Sequence, residues 1–469
     1  MVFSSVEFLL YFLPVFLLLY AITPERYRNI TLLVGSIYFY ACGEPKYLPL
    51  LIVSVIVNFG IGRFLGAGPA YIERWNQKNT EISYEEWRKG VMLFAVTVNV
   101  GVLLLFKVAM RDSVLPLGVS FYTFQILSYL IDVYRRDIPC ERSLVRMATY
   151  VAMFPQLVSG PIVNYSEVSN ALVRRRLGMR NIQSGLKIFT LGLASKVLLA
   201  DRIGLLWNDI QVRGFESIST PMAWLGALAY SFKLYFDFCG YSIMAIGLGV
   251  MLGFNFPENF HTPYIARSVR EFYRGWHITL GRWFSNYIYI PLGGNRKGEL
   301  CTARNLLVVW ALTGLWHGGR GNFILWGIFL WMLIVMERHV SAFLDRHPIG
   351  GASIWDQMAI VPHLYIWIII PFSWMFFAIT DAGELWTYLT RLLGAAPQFM
   401  PFEDDWKNAL STYGGLFAVC AIACTPFVKR VFRRWKDSIV GECVLAALFW
   451  FCVWRIMVEG NNPFLYFKF

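Results

Sequence analysis

Charge is scarce in this sequence. Asp, Glu, Lys and Arg make up 15% of its 469 residues and hydrophobic residues 57%, where a soluble domain carries about 25% charged and about 45–50% apolar residues. The mean hydropathy is +0.50, so the expected solvent is lipid. Cysteine is sparse and unpatterned: eight residues form neither a C-x-x-C pair nor a Cys/His cluster with zinc spacing, which predicts no disulfide framework and no structural metal. A P-loop, a G-x-G-x-x-G fingerprint in strand–helix context and a serine nucleophile elbow are all missing. Paired-carboxylate glycosidase chemistry has no soluble domain to occupy. Internal repeats and low-complexity stretches are missing too, which leaves an inverted-repeat transporter without support. Met1-Val2-Phe3-Ser4-Ser5 lacks the basic region and cleavage site of a signal peptide, so the first apolar run, Val6 to Ile22, is expected to stay as a span.

Apolar runs are spread along the whole chain. Candidate spans, each near the roughly 20 residues a bilayer requires, fall near 6–22, 30–43, 48–65, 91–109, 115–134, 185–207, 222–250, 305–321, 322–338, 360–379, 413–428 and 439–458. The fold class expected is an all-α polytopic membrane protein of about twelve transmembrane helices, with residues 1–469 as one membrane domain. The formal net charge of +12 would suggest nucleic acid in a soluble chain. Here it reads as cytoplasmic loops obeying the positive-inside rule, or as a basic surface that also attracts an anionic donor such as coenzyme A; no nucleic-acid partner is expected. Arg26 and Arg28, Arg63 to Lys89, Arg135 and Arg136, Arg174 to Arg180, and Lys429 to Lys436 fall on one side if both termini lie outside, with Lys107 and Arg111 as exceptions.

Two stretches break the pattern. Residues 146–162 contain Pro155, Gly160 and Pro161 and read as an interrupted or re-entrant helix, tolerated only where protein covers the freed backbone. Residues 253–304 interleave Arg267, Arg270, Glu271, Arg274, His277 and Arg282 with Phe272, Tyr273, Trp276, Trp283 and Phe284. That mixture belongs to an interface or a water-filled cavity, and it is placed on the cytoplasmic face, dipping into the bilayer.

Ionisable residues at membrane depth are costly and therefore functional candidates. Of the six histidines, His339 and His347 fall in a basic loop, His363 starts a span and His261 sits in a Pro-flanked turn. His317 ends an apolar run in Thr313-Gly314-Leu315-Trp316-His317-Gly318-Gly319-Arg320-Gly321. An ordinary histidine pKa of about 6.5 suits a general base for a hydroxyl near neutral pH; the alternative is a hydrogen-bonded histidine at a helix cap. His277, after Trp276, can orient a substrate, polarise a carbonyl or anchor the amphipathic segment. Asp237, in Tyr235-Phe236-Asp237-Phe238, is expected to orient the site or to pair with an arginine.

The chain closely resembles the membrane-bound O-acyltransferase family, and most of all its bacterial branch that contains the membrane subunit of alginate O-acetylation. The resemblance rests on Phe121-Tyr122-Thr123-Phe124-Gln125, Phe154-Pro155-Gln156-Leu157-Val158-Ser159-Gly160-Pro161-Ile162, Tyr235 to Ser242, Trp276-His277-Ile278, Tyr289 to Arg296, and Gly314-Leu315-Trp316-His317-Gly318. It implies spans ringing a thin centre with a tunnel. It also implies catalytic roles for His317 and His277, with Asp237, Trp316 and Trp276 supporting them. Further expectations are no bound cofactor or metal, acetyl-CoA as a cytoplasmic donor substrate, and acetylation of an exported polysaccharide such as alginate, cellulose or peptidoglycan. The partners implied are a periplasmic esterase-like transferase, the export machinery and membrane lipid, in a bacterial inner membrane with both termini periplasmic. The chain departs from its relatives at Ile243, where they carry a second Asp, and at His261, where they often carry Asn. The tail 459–469, ending Pro463-Phe464-Leu465-Tyr466-Phe467-Lys468-Phe469, resembles the aromatic motif of the partner peptide in teichoic-acid D-alanylation. Tyr466 is accordingly an acyl-acceptor candidate, or else an interfacial anchor. A carrier-protein-dependent D-alanyl transferase and a non-enzymatic transporter are the alternative functions.

Overall fold

The computed structural model describes residues 1–78, 82–110, 116–158, 160–346, 360–395 and 404–460. All regular structure among them is helical. Tyr466 and the rest of 461–469, together with Arg111, Ser159 and His347, lie outside the described residues.

Six described helices are long and apolar enough to cross a bilayer: Pro45–Leu65, Tyr84–Ala109, Thr220–Met251, Gly321–Leu344, Val361–Ala378 and Ile439–Glu459. A seventh arises if Asp405–Ala423 and Pro426–Trp435, bent by 73°, count as one span. A count of twelve does not follow from these. The other expected spans are helices, but shorter or more polar ones. Val119–Arg135 has 17 residues, most of them buried, and carries Gln125 and Asp132. A helix enclosed by protein can be short and polar where one facing lipid cannot.

The chain divides into two compact units. The first comprises Met1–Phe189 and Tyr241–Pro257. Its core is aromatic: Phe3, Phe8, Phe12, Phe39 and Phe154 pack with centroids 5.0–6.4 Å apart. Apolar packing alone does not hold helices together in lipid, so small residues and polar pairs do that work. Asn58 and Asn99 exchange amide hydrogen bonds of 3.2 and 2.9 Å between the Pro45–Leu65 and Tyr84–Ala109 helices. A Cβ on Gly247 would lie 2.7 Å from the carbonyl oxygen of Gly185, so the two backbones touch. The interrupted stretch behaves as its sequence indicates. Helix Leu144–Ala152 stops at Met153, a single turn Phe154–Leu157 follows, and that turn is buried, with the Phe154 N–H donating to Ser36 Oγ at 3.1 Å.

The second unit comprises Thr190–Gly240 and Glu258–Phe469. Here residues 259–298 form no span. They fold into short pieces: the turn Pro263–Ile265, helices Val269–Gly275 and Ile278–Phe284, and a π-helical turn Ser285–Tyr289. Helix Glu299–His317 follows and packs along Gly321–Arg346. Gly275 is required where it stands, because a Cβ there would lie 2.7 Å from the His261 carbonyl oxygen. Asp405 is buried and accepts the Ser219 N–H at 3.0 Å, which caps the start of the Thr220–Met251 helix.

Candidate active site

His277 occupies the junction between Val269–Gly275 and Ile278–Phe284, with a left-handed backbone (φ 45°, ψ 52°). Only a constrained junction holds a non-glycine residue there. The constraint is Asn259. Its backbone oxygen accepts the Ile278 N–H at 3.0 Å, and its side-chain oxygen accepts from the Thr279 N–H at 3.2 Å and the Thr279 hydroxyl at 2.9 Å. The same oxygen lies 3.1 Å from His277 Nδ1. Since a backbone N–H can only donate, that atom of Asn259 is the carbonyl oxygen, and Nδ1 must carry the proton. His277 is buried, and burial pushes its pKa down to about 3. His277 is therefore a neutral imidazole whose Nε2 holds a lone pair. In that tautomer Nε2 accepts a hydrogen bond rather than donating one.

His317 ends helix Glu299–His317 and is buried. Aromatic rings surround it: Trp316 at 4.8 Å, Phe377 at 4.9 Å and Trp326 at 5.3 Å between centroids. Trp316 also reaches His277, at 6.1 Å. The two histidines thus share one tryptophan as neighbour. Trp276 connects to the same cluster through Trp374, 4.9 Å away and 5.7 Å from Trp326. A low-dielectric box of rings strengthens any hydrogen bond made inside it.

Asp237 was expected to orient the site or to pair with an arginine. Its partner is a lysine: Lys196 Nζ lies 3.3 Å from its carboxylate, and Lys196 also pairs with Asp201. Lys196 sits on the π-helical turn Ser195–Ala200, an irregularity that re-aims a side chain within a helix. The next residue, Phe238, packs edge-on to His277 at 4.7 Å. Asp237 thus fixes the helix that carries a wall of the histidine site.

Beside this cluster is a cavity of about 910 Å³. Arg267, Arg270, Arg274, Arg282 and Arg338 line it, against two carboxylates, Glu271 and Glu337. Glu337 is occupied by the backbone N–H groups of Val269 (2.7 Å) and Arg270 (3.3 Å), and Glu271 by that of Arg267 (2.8 Å). Burial, then the charges of Arg274 and Arg338, lower the Arg270 pKa, so an anion placed among these groups is favoured. Tyr273 and Trp310 also line the cavity, 4.8 Å apart, and Trp310 lies 6.0 Å from Trp326. One file of rings therefore runs from the arginine cavity to His317. No group of three or more metal-type side chains occurs among the described residues.

Of the residues singled out from sequence, His317, Trp316, His277 and Trp276 come together through rings, and Asp237 adjoins them through Phe238. His261 is exposed and near Glu258 (3.9 Å), and His363 Nδ1 faces the Ala266 carbonyl at 3.2 Å. Sequence reasoning missed Asn259, Lys196, Trp326, Glu337 and Arg338. Lys196 alone carried a usable signal, as a lysine inside an apolar run.

The described residues thus bring two buried histidines together beside an arginine-lined cavity. The comparisons supply the class. Residues 133–380 match the MBOAT, membrane-bound O-acyltransferase family, and the chain belongs to that family; it is a multi-pass membrane O-acyltransferase. It is 34% identical to a probable alginate O-acetylase of Pseudomonas putida over 100% of both chains. It is 32% identical to a peptidoglycan O-acetyltransferase of Helicobacter pylori over 84% of this chain and 80% of that one. A teichoic acid D-alanyltransferase of Streptococcus thermophilus is 27% identical over 45% of this chain and 54% of its own.

Proposed function

We propose that this protein takes acetyl from acetyl-CoA on the cytoplasmic side of a bacterial inner membrane and delivers it outward for O-acetylation of an exported polysaccharide, alginate first among the choices. The observation that carries this reading is the arginine-lined cavity joined by aromatic rings to His317. Five guanidiniums suit the phosphates of coenzyme A, and the ring-lined end suits its apolar thioester arm. The alginate and peptidoglycan acetylases among the relatives support the acetyl group and the polysaccharide acceptor.

In this reading His317 is the general base. His317 removes the acceptor hydroxyl's proton as oxygen attacks the thioester carbon, and His277, which shares Trp316 with it as a neighbour, lines the site. The attack is favoured because the ring box excludes water, which would otherwise hydrolyse the thioester. Both termini face the periplasm, and Tyr466 receives the acetyl group and passes it to a periplasmic esterase-like transferase. Replacing Tyr466 with Phe keeps the ring and removes the hydroxyl; full polysaccharide acetylation in cells by that variant would exclude the carrier role.

The test is turnover of radiolabelled acetyl-CoA by the protein in nanodiscs, with the periplasmic partner present. Coenzyme A release is expected from wild type, with a fall of about 10²–10⁴-fold in His317→Ala. Equal release by both proteins would remove His317 from the chemistry, and none from wild type would exclude acetyl-CoA as donor.

A further inference from the structure

Trp326 lies on helix Gly321–Arg346 and is 2% exposed. Its indole meets the His317 ring edge-to-face, with centroids 5.3 Å apart and planes at 88°. Its other neighbours are aromatic: Phe377 at 5.4 Å, Trp374 at 5.7 Å, and the cavity-lining Trp310 and Tyr273 at 6.0 and 6.3 Å. Among the described residues its Nε1–H is fully buried and meets no acceptor. A buried donor without an acceptor is costly, and indole N–H groups usually find a partner when buried. Packing does not explain it, since Phe would fill a ring cage without bringing an orphaned donor. The group stands where the file of rings from the arginine cavity reaches His317, which is where a thioester carbonyl must lie if the hydroxyl that His317 deprotonates is to attack it.

We propose that the Trp326 indole N–H is the hydrogen-bond donor to the thioester carbonyl oxygen and to the oxyanion formed from it. This rests on the acetyl-CoA reading above. The acceptor oxygen forms a bond to the carbonyl carbon while its proton passes to His317. The carbonyl π pair moves onto oxygen, where the indole N–H stabilises it. Collapse of that oxyanion breaks the carbon–sulfur bond, and the proton on His317 goes to the departing sulfur, leaving ester and thiol. A donor held in a buried ring cage is already oriented before charge develops, which is the arrangement that lowers the barrier. A carbonyl at this point also satisfies the orphaned N–H, so donor binding and catalysis use the same bond.

Trp326→Phe removes the donor, and incorporation of 3-benzothienylalanine at position 326 removes it while keeping the bicyclic shape. Both are compared with wild type in nanodiscs, after equal thermal unfolding has been established for the benzothienyl variant. The expected result is a loss of about 10²-fold in kcat with a smaller rise in KM for acetyl-CoA. A second readout is the infrared carbonyl stretch of 13C-labelled acetonyl-CoA, in which a ketone replaces the thioester. It should be lowered on binding to wild type and return toward its solution value in both variants. Unchanged kcat and unchanged carbonyl frequency in the benzothienyl protein would overturn the assignment. Failure of acetonyl-CoA to bind wild type at all would overturn the donor reading, and the role of Trp326 with it.

Discussion

Asn259 and His277 are 18 residues apart, and the side-chain oxygen of one lies 3.1 Å from the Nδ1 of the other. That contact fixes the tautomer of a buried histidine, because the same oxygen already accepts the Thr279 N–H. It also ties the left-handed junction at His277 to the chain on its far side.

The first prediction concerns pH. Burial holds the His277 pKa at about 3, below its ordinary 6.5. Between those values the unfolded chain binds a proton that the folded chain does not, so stability should fall as pH is lowered through that window. Unfolding temperatures measured at about pH 7 and about pH 5 should therefore drop further for wild type than for His277→Gln, which cannot titrate. Equal drops would mean that His277 is not held neutral.

Cavity arginines should act on donor affinity. Arg274→Gln and Arg338→Gln should each raise KM for acetyl-CoA about tenfold, with a smaller effect on kcat, because each removes a charged hydrogen-bond donor remote from the reacting carbon. The wild-type KM should also rise with ionic strength. A kcat defect with unchanged KM would place these arginines elsewhere in the cycle.

The Lys196 triad gives an asymmetric pair of variants. Lys196→Met removes the cation shared by buried Asp237 and half-buried Asp201 and should cost about 3–5 kcal/mol of stability. Asp237→Asn leaves Lys196 still paired with Asp201 and should cost about 1–3 kcal/mol. Thermal unfolding of the two proteins in the same detergent would rank them, and the reverse order would refute the triad as a stabilising unit.

Helix contact at Gly247 is testable against an internal control. A Cβ there would lie 2.7 Å from both Gly185 O and Phe189 N, so Gly247→Ala should destabilise by about 1–3 kcal/mol. Gly101 has nothing within 4 Å of a built Cβ, and Gly101→Ala should be neutral or mildly stabilising, by up to about 1 kcal/mol.

Much of this was legible in the sequence. Composition pointed to lipid as the solvent, the Pro155–Pro161 stretch announced an interrupted helix, and the interleaved arginines and rings of 253–304 pointed to an interface or a water-filled cavity, where the structure has an arginine-lined cavity. Scarcity pointed to His277 and His317, because an ionisable group in an apolar chain must have a reason to be there. The span count was less legible. Hydropathy cannot separate a helix facing lipid from one enclosed by protein, and Val119–Arg135 is of the second kind.

Pairing is what a linear reading could not supply. Asp237 was expected to orient the site or to meet an arginine; the cation it meets is Lys196, carried on a π-helical turn. Asn259 carries no periodic signal, yet it sets which nitrogen of His277 holds the proton. Trp326 reads in sequence as one more apolar residue in a span; only the packed structure shows an indole N–H shut among rings beside His317. Composition and local spacing were enough for the solvent, the helical class and a short set of candidate proton-transfer groups. The tertiary structure decided which of those groups face one another and in what protonation state, because a hydrogen-bond partner and a local dielectric are properties of three-dimensional neighbours.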